Sequence, residues 1–284
     1  MEDILRAHQM LLLSMLKELD RICRKHDIPY TLFAGTALGA VRHAGFIPWD
    51  DDLDVIMLRK DYERFLTIAE QELPAEYYLQ KEFSEHWPCF FSKIRKNNTA
   101  YMEKTIPKDP LQHQGIYIDI FPCDHLSDCP IMRRVQFFAS KIVIAKSLYQ
   151  RGYLTNSRCK KIAMRLASLL PHKPFLYLVK LPKKENSRMV HSFFGGSAKY
   201  RKSIYPREWF ESRKLMAFED AEFFVSASVD QLLTCLYGDY MTLPPEEERI
   251  CKVHAMKIDP EHSYEQYIEW QANQKIDVYT RSIR

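Results

Sequence analysis

Asp50, Asp51, Asp52 and Asp54 place four carboxylates in five positions, and the run leads directly into the apolar stretch Leu53–Leu58. Acidic clusters are usually solvated loops, but this one continues into strand-forming sequence. Strand side chains alternate, so Asp52 and Asp54 project from one face about 6–7 Å apart. Two carboxylates that close repel each other unless a cation lies between them. Hard oxygen donors, with no His or Cys in the run, select Mg²⁺ or Mn²⁺ over zinc. A metal pair that clamps a phosphoryl group commonly takes a further carboxylate from a neighbouring strand. Asp119 fits that need as the single acid of Gly115–Phe121, flanked by Ile118 and Ile120. Its alternative role is a strand-end residue capping the turn before Pro122. The pair Gly35-Thr36 follows a short β-prone run, Tyr30–Phe33. Glycine admits a phosphate close to the backbone, and the N–H groups of a following helix start bind an anion.

The elements that must hold these groups read as a mixed α/β arrangement. Leu12, Leu16, Leu19 and Cys23 recur at helical spacing and predict a helix over 4–26, stopped by Pro29. A short helix or turn is expected over Ala37–Val41, a strand over Leu53–Leu58, and an amphipathic helix through Tyr62, Phe65, Leu66, Ala69 and Leu73. Phe90–Arg95 and Gly115–Phe121 are strand candidates, the latter alternating Ile116, Ile118 and Ile120 against Tyr117, Asp119 and Phe121. Beyond about 130 the pattern turns helical, over Ile131–Tyr149, Ser157–Leu170 and Asp230–Tyr237, with Gly238 as a C-terminal cap. The expected division is a catalytic core over 1–130, with a small mixed sheet, and a mostly helical basic lobe over 131–284.

A Gly-Ser/Thr pair, a later Asp-x-Asp strand and a further strand carboxylate together form the signature of the nucleotidyltransferase superfamily. The resemblance goes further. The stretch from Gly35 through Arg42, His43, Phe46, Pro48 and Trp49 to Asp54 is similar to the defining segment of the LicD family, relatives of fukutin. Matching segments are Phe91-Ser92-Lys93-Ile94-Arg95, Tyr117-Ile118-Asp119-Ile120-Phe121-Pro122, Tyr237-Gly238-Asp239-Tyr240-Met241 with Leu243-Pro244-Pro245, and Arg249 followed by His254. They span about 30 to 255, most of the chain.

This resemblance implies a nucleotidyltransferase-like core and a phosphocholine-type transferase. Such an enzyme moves a phospho-alcohol from a CDP-linked alcohol such as CDP-choline to a sugar hydroxyl of a surface glycan, teichoic acid or lipopolysaccharide. The mapping gives Asp52, Asp54 and Asp119 the catalytic metals, Mg²⁺ or Mn²⁺, with Asp50 an outer or occasional ligand. Asp119 becomes the general base for the acceptor hydroxyl. Arg42 becomes a phosphate ligand. Lys93 and Arg95, alternating on one strand, face the same site. For Arg42, Lys93 and Arg95 the alternative is a surface salt bridge or solvated charge, and for His43 and His254 a structural role. Trp49, Tyr237 and Tyr240 are candidates for an aromatic wall around a quaternary ammonium.

Bulk properties fit a cytoplasmic enzyme. The 284 residues suffice for a full core, and 46% apolar content with 8 glycines is ordinary for a globular protein. Seven scattered cysteines without a C-x-x-C pair read as reduced thiols, and no positively charged leader precedes Met10–Leu16. Net charge is +4, yet the stretch from Ile131 to Arg188 holds 14 Lys and Arg against one acid, Glu185. The rest of the chain is therefore acidic. Such segregation speaks of partners: an anionic membrane at the inner face of the cell, or an anionic lipid-linked sugar acceptor. Two rival functions stand beside the transferase. One is a true nucleotidyltransferase moving NMP from an NTP. The other is a non-catalytic membrane or polyanion binding module, with nucleic acid excluded because clustered acids repel its phosphates.

Overall fold

The computed structural model describes residues 2–181, 187–194, 199–249 and 255–273. The chain opens with α1 (Glu2–Lys25), β1 (Thr31–Leu32), α2 (Ala34–His43), β2 (Asp54–Leu58) and α3 (Arg59–Glu72). It continues through β3 (Tyr77–Gln80), β4 (Ser92–Lys96), β5 (Ala100–Glu103) and β6 (Tyr117–His125). Three helices follow, α4 (Pro130–Arg151), α5 (Arg158–Leu169) and α6 (His172–Val179). The remainder is β7 (Met189–His191), β8 (Ile204–Pro206), α7 (Glu208–Glu211), β9 (Arg213–Phe218), β10 (Ala221–Ser226), α8 (Val229–Tyr237) and β11 (Ala255–Asp259).

The mixed α/β class is as expected. The central sheet runs β1-β2-β6-β4-β3, extended by β7 on β6 and β8 on β7. β2 and β6 are parallel, and the other pairs antiparallel. One face carries Val55, Met57, Ile118 and Ile120 into the main core with Leu12, Leu16 and Leu19 of α1 and Tyr62 and Phe65 of α3. The opposite face carries Ile56, Phe121 and Cys123 under Leu232 and Leu236 of α8. The alternation read in Gly115–Phe121 therefore holds, and it puts Asp54 and Asp119 on the α8 side.

Beyond the boundary expected near 130, the described residues supply β7 to β11 as well as the helices α4 to α8. β7 joins β6 in the central sheet, β11 pairs with β5, and β9–β10 pack into the main core through Phe218, Phe223 and Val225. β7 and β8 are short and β11 pairs over a long sequence distance, so their local periodicity is weak; β9 and β10 form a local hairpin around Glu219-Asp220. α4 matches its expectation, with Pro130 in the first turn and Gly152 in the left-handed region after the last.

Candidate active site

The acidic run is delivered by two pairings. β1 lies antiparallel to β2, with Phe33 N–H donating to the Asp54 carbonyl at 3.0 Å, and the chain then enters α2. Gly35 and Thr36 therefore lie in the first turn of α2, one turn earlier than the helix read from Ala37. The Asp54 N–H donates to Thr36 Oγ1 at 2.8 Å, tying the helix start to the head of β2. Gly35 is needed for space: a Cβ there would stand 2.8 Å from Asp50 Oδ2 and 3.9 Å from Asp52 Oδ1. On the other side of β2, the Asp119 N–H donates to the Leu53 carbonyl at 2.9 Å, and Asp54 sits opposite Asp119 in the parallel register.

Electrostatics mark the result as an unbalanced cluster. Burial, then the charges of Asp52 and Asp51, push the Asp50 carboxyl up to about 8. Burial, then Asp52, Asp119 and Asp50, raise Asp54 well above the carboxylate range, with Lys93 opposing. Burial raises Asp119 also, against the pull of Lys93, whose Nζ lies 2.7 Å from its Oδ1. Carboxylate oxygens of Asp50, Asp51 and Asp52 come within 4.8 Å of one another. Such a set either holds protons that ordinary carboxylates release or binds a cation. Its donors are hard oxygens, so Asp50, Asp51 and Asp52 fit Mg²⁺ or Mn²⁺, and Asp54 and Asp119 stand beside them as the further carboxylates that would complete such a site.

Asp51 is turned inward and also serves the loop. Its Oδ2 accepts from the Tyr101 hydroxyl at 2.7 Å and its carbonyl lies 2.9 Å from His8 Nε2. Gln9 Nε2 donates to the Asp50 carbonyl at 2.9 Å and the Ile47 carbonyl at 3.3 Å. Sequence reasoning missed these braces on α1 and β5. The signal was present: His8 and Gln9 fall on the same helical stripe as Leu5, Leu12 and Leu16, where a polar side chain must find a buried partner. Glu219 closes the other flank, accepting from the Phe46 N–H at 3.0 Å while Arg6 holds its carboxylate.

The other expected residues divide. Tyr237, the last residue of α8, is 46% exposed overall, yet its hydroxyl lies toward the acidic run: local desolvation and then the charges of Asp54, Asp50 and Asp52 hold it above the usual range. Lys93 belongs to the site, seated over the Tyr117 ring with its Nζ 3.0 Å from the centroid. Burial, only partly offset by Asp119, lowers its pKa to about 8. Arg95 does not reach the carboxylates. It is buried, with Nε donating to Gln80 at 2.6 Å and Nη1 to the Gly115 carbonyl at 2.8 Å, because its register partner is Tyr117 rather than Asp119.

Arg42 is likewise not on the acidic run. Its Nη1 donates to the Tyr240 carbonyl at 2.7 Å, and burial and then Arg249 depress its pKa, so two guanidinium groups stand near each other. His43 meets Trp49 edge-on at 6.1 Å, and Trp49 packs against the main core. The Tyr240 hydroxyl donates to Asp230, so Tyr240 is committed locally. His254 lies outside the described residues.

Comparison with known proteins gives the family. The family described as LicD/FKTN/FKRP, nucleotidyltransferase domain, matches residues 27–149, the span from before β1 to the end of α4. The chain is 30% identical over 276 residues to the lipopolysaccharide cholinephosphotransferase LicD of Haemophilus influenzae, covering 93% of this chain and 98% of that protein. Shorter matches join it to uncharacterized proteins of Rickettsia typhi, 42% identical over 60 residues, and Rickettsia prowazekii, 44% over 50. These cover 21% and 18% of this chain, and 19% of each relative.

Proposed function

Since the chain belongs to the LicD family, we propose that it is a metal-dependent phosphotransferase that moves a phosphocholine-like group from a CDP-alcohol to a sugar hydroxyl of a cell-surface glycan. The carrying observation is the half-buried register pair Asp54 and Asp119, crowded by Asp50 and Asp52 and opposed by Lys93. The acceptor class rests on the Haemophilus relative, whose name gives lipopolysaccharide and cholinephosphotransfer. Teichoic acid is the equivalent acceptor in cells that lack lipopolysaccharide.

Bound Mg²⁺ or Mn²⁺ would supply charge neutralisation to the diphosphate. The chain supplies the rest. Gly35 lets the Asp50 carboxylate close against the start of α2, where a diphosphate held by the metal would meet the first turn of the helix. Arg42 and Arg249 form a second cationic place suited to phosphate oxygens, whose charge relieves their mutual repulsion. The acceptor oxygen attacks the alcohol-side phosphorus in line as the bond to CMP breaks. Asp119 takes the hydroxyl proton, a role suited to a carboxylate whose pKa burial has raised. Tyr237 borders the carboxylates as a wall for the transferred alcohol. A lipid-linked acceptor would bring the enzyme to the anionic inner face of the membrane, and no helix among the described residues is long and apolar enough to cross it.

Purified protein with Mg²⁺, a glycan acceptor and CDP-choline, CDP-glycerol or CDP-ribitol tests this reading by mass spectrometry. The acceptor should gain a phospho-alcohol and the released nucleotide should be CMP. Added nucleoside mass with pyrophosphate release from an NTP would assign the chain to nucleotide transfer instead.

A further inference from the structure

Helix α5 has two apolar faces, and the protein uses only one of them. Met164 and Ala167 are buried, and the helix is fixed at both ends. Ser157 caps the first turn by accepting from the Lys160 N–H, and Lys146 of α4 donates to the carbonyls of Ser168 and Leu170 at 3.3 and 2.5 Å. The other face is exposed. Cys159, Ile162, Ala163, Leu166, Leu169 and Leu170 recur at intervals of three, one, three, three and one, the spacing of a continuous helical stripe. Ile162 is 60% exposed, Leu166 59% and Leu169 78%, values that a folded chain reserves for surfaces meeting something else.

Beside this stripe runs a second one. Arg158, Lys161 and Arg165, three and four apart, are all exposed, and among the described residues none of them forms an ion pair. They belong to the stretch from Ile131 to Arg188 with 14 cations and one acid. An apolar stripe edged by unpaired cations is the make-up of a helix that lies in the plane of a bilayer interface, apolar side in the acyl boundary and cations among anionic headgroups. The charge argues against a second copy as the occupant, because an isologous contact would bring both cationic stripes together.

We propose that α5 is an in-plane membrane anchor, inserting Ile162, Leu166 and Leu169 into an anionic phospholipid surface while Arg158, Lys161 and Arg165 pair with its headgroups. This deepens the membrane contact of the function proposed above, but the anchor is read without catalysis, so either reading can fail alone.

The test is sedimentation of the whole protein with vesicles of phosphatidylcholine alone and of phosphatidylcholine with equal phosphatidylglycerol, at low and raised salt. Binding should require the anionic lipid. Leu166→Gln with Leu169→Gln changes only exposed side chains, so circular dichroism and melting should stay as in the parent. Its vesicle affinity should fall about tenfold or more at both salts, since apolar burial is not screened. Lys161→Gln with Arg165→Gln should weaken binding mainly at low salt. Equal binding of the leucine variant and the parent, equal binding to neutral vesicles, or no binding at all would overturn the proposal. So would light scattering in which the parent is a dimer and the leucine variant a monomer, the mark of a face that meets its own copy.

Discussion

Asp54 of β2 and Asp119 of β6 are direct partners in a parallel register, two like charges side by side on neighbouring strands. Nothing in a parallel ladder favours that pairing, and burial makes it costly. Lys93 offsets one of the two charges, and the remainder calls for protons or a further cation. Asp54→Asn and Asp119→Asn should therefore each lower phosphotransfer at least about a hundredfold; in metal-free protein Asp54→Asn should raise the melting temperature or leave it unchanged, whereas Asp119→Asn should lower it, because it strips the buried Lys93 of its partner. CMP release beside a thermal melt checks both. A variant that keeps near-parental turnover would remove the residue from the chemistry.

The same crowding fixes the sign of a pH effect. The folded-state pKa of Asp50, raised to about 8, lies above the ordinary carboxylate value of 3.8, so the folded chain holds a proton that the unfolded chain has lost. Between those limits the folded state binds more protons, and stability falls as pH rises. Metal-free protein should melt progressively lower from about pH 5 to pH 8. Mg²⁺ or Mn²⁺ should raise the melting temperature more at pH 8 than at pH 5, because fewer protons then compete for the carboxylates. A metal effect independent of pH would contradict the placement of Asp50.

Two glycines of α2 should respond differently to alanine. At Gly35 the new methyl meets the Asp50 carboxylate, a side chain that can move, so Gly35→Ala should fold and lose activity. At Gly39 a Cβ would stand 2.4 Å from the Gly45 carbonyl, which is backbone. Gly39→Ala should cost about 1–3 kcal/mol of stability or more. Denaturant melts and turnover, measured on both, should show the two losses separated.

Tyr101→Phe keeps the ring and removes the hydroxyl that Asp51 Oδ2 accepts. A cost of about 1–3 kcal/mol follows from the unpaired buried carboxylate. Since Asp51 is the hinge between Asp50 and Asp52, the variant should also need more Mg²⁺ for half-maximal rate while keeping much of its maximal rate. A metal requirement equal to that of the parent would make Tyr101 a packing residue alone.

The chemistry-bearing run was legible because it is local: Asp52 and Asp54 are two apart in one strand, and Asp119 stands alone among apolar neighbours. Tyr237 was legible only through family resemblance, since nothing near α8 in sequence points to carboxylates far upstream. Arg95 stands away from the acidic run because charge on a strand gives no account of where its fork is spent; Gln80 and the Gly115 carbonyl claim it. The bracing residues His8, Gln9 and Tyr101 lie on elements whose relation to the acidic loop is purely tertiary. β7 and β11 were missed for the same reason, their pairing with β6 and β5 being non-local, whereas the β9–β10 hairpin is local and its turn at Glu219-Asp220 went unread.

The pairing of β11 with β5 sets when the protein can become competent. All four carboxylates have been translated once residue 119 is made, and Tyr101 before that. Yet Tyr101 sits on β5, whose ladder is completed by Ile258 and Asp259. A chain leaving the ribosome therefore carries its whole acidic set long before the strand that braces Asp51 has a partner. Competence arrives only once residues 255–259 are made, and chains terminated before them should hold the charges without holding their arrangement.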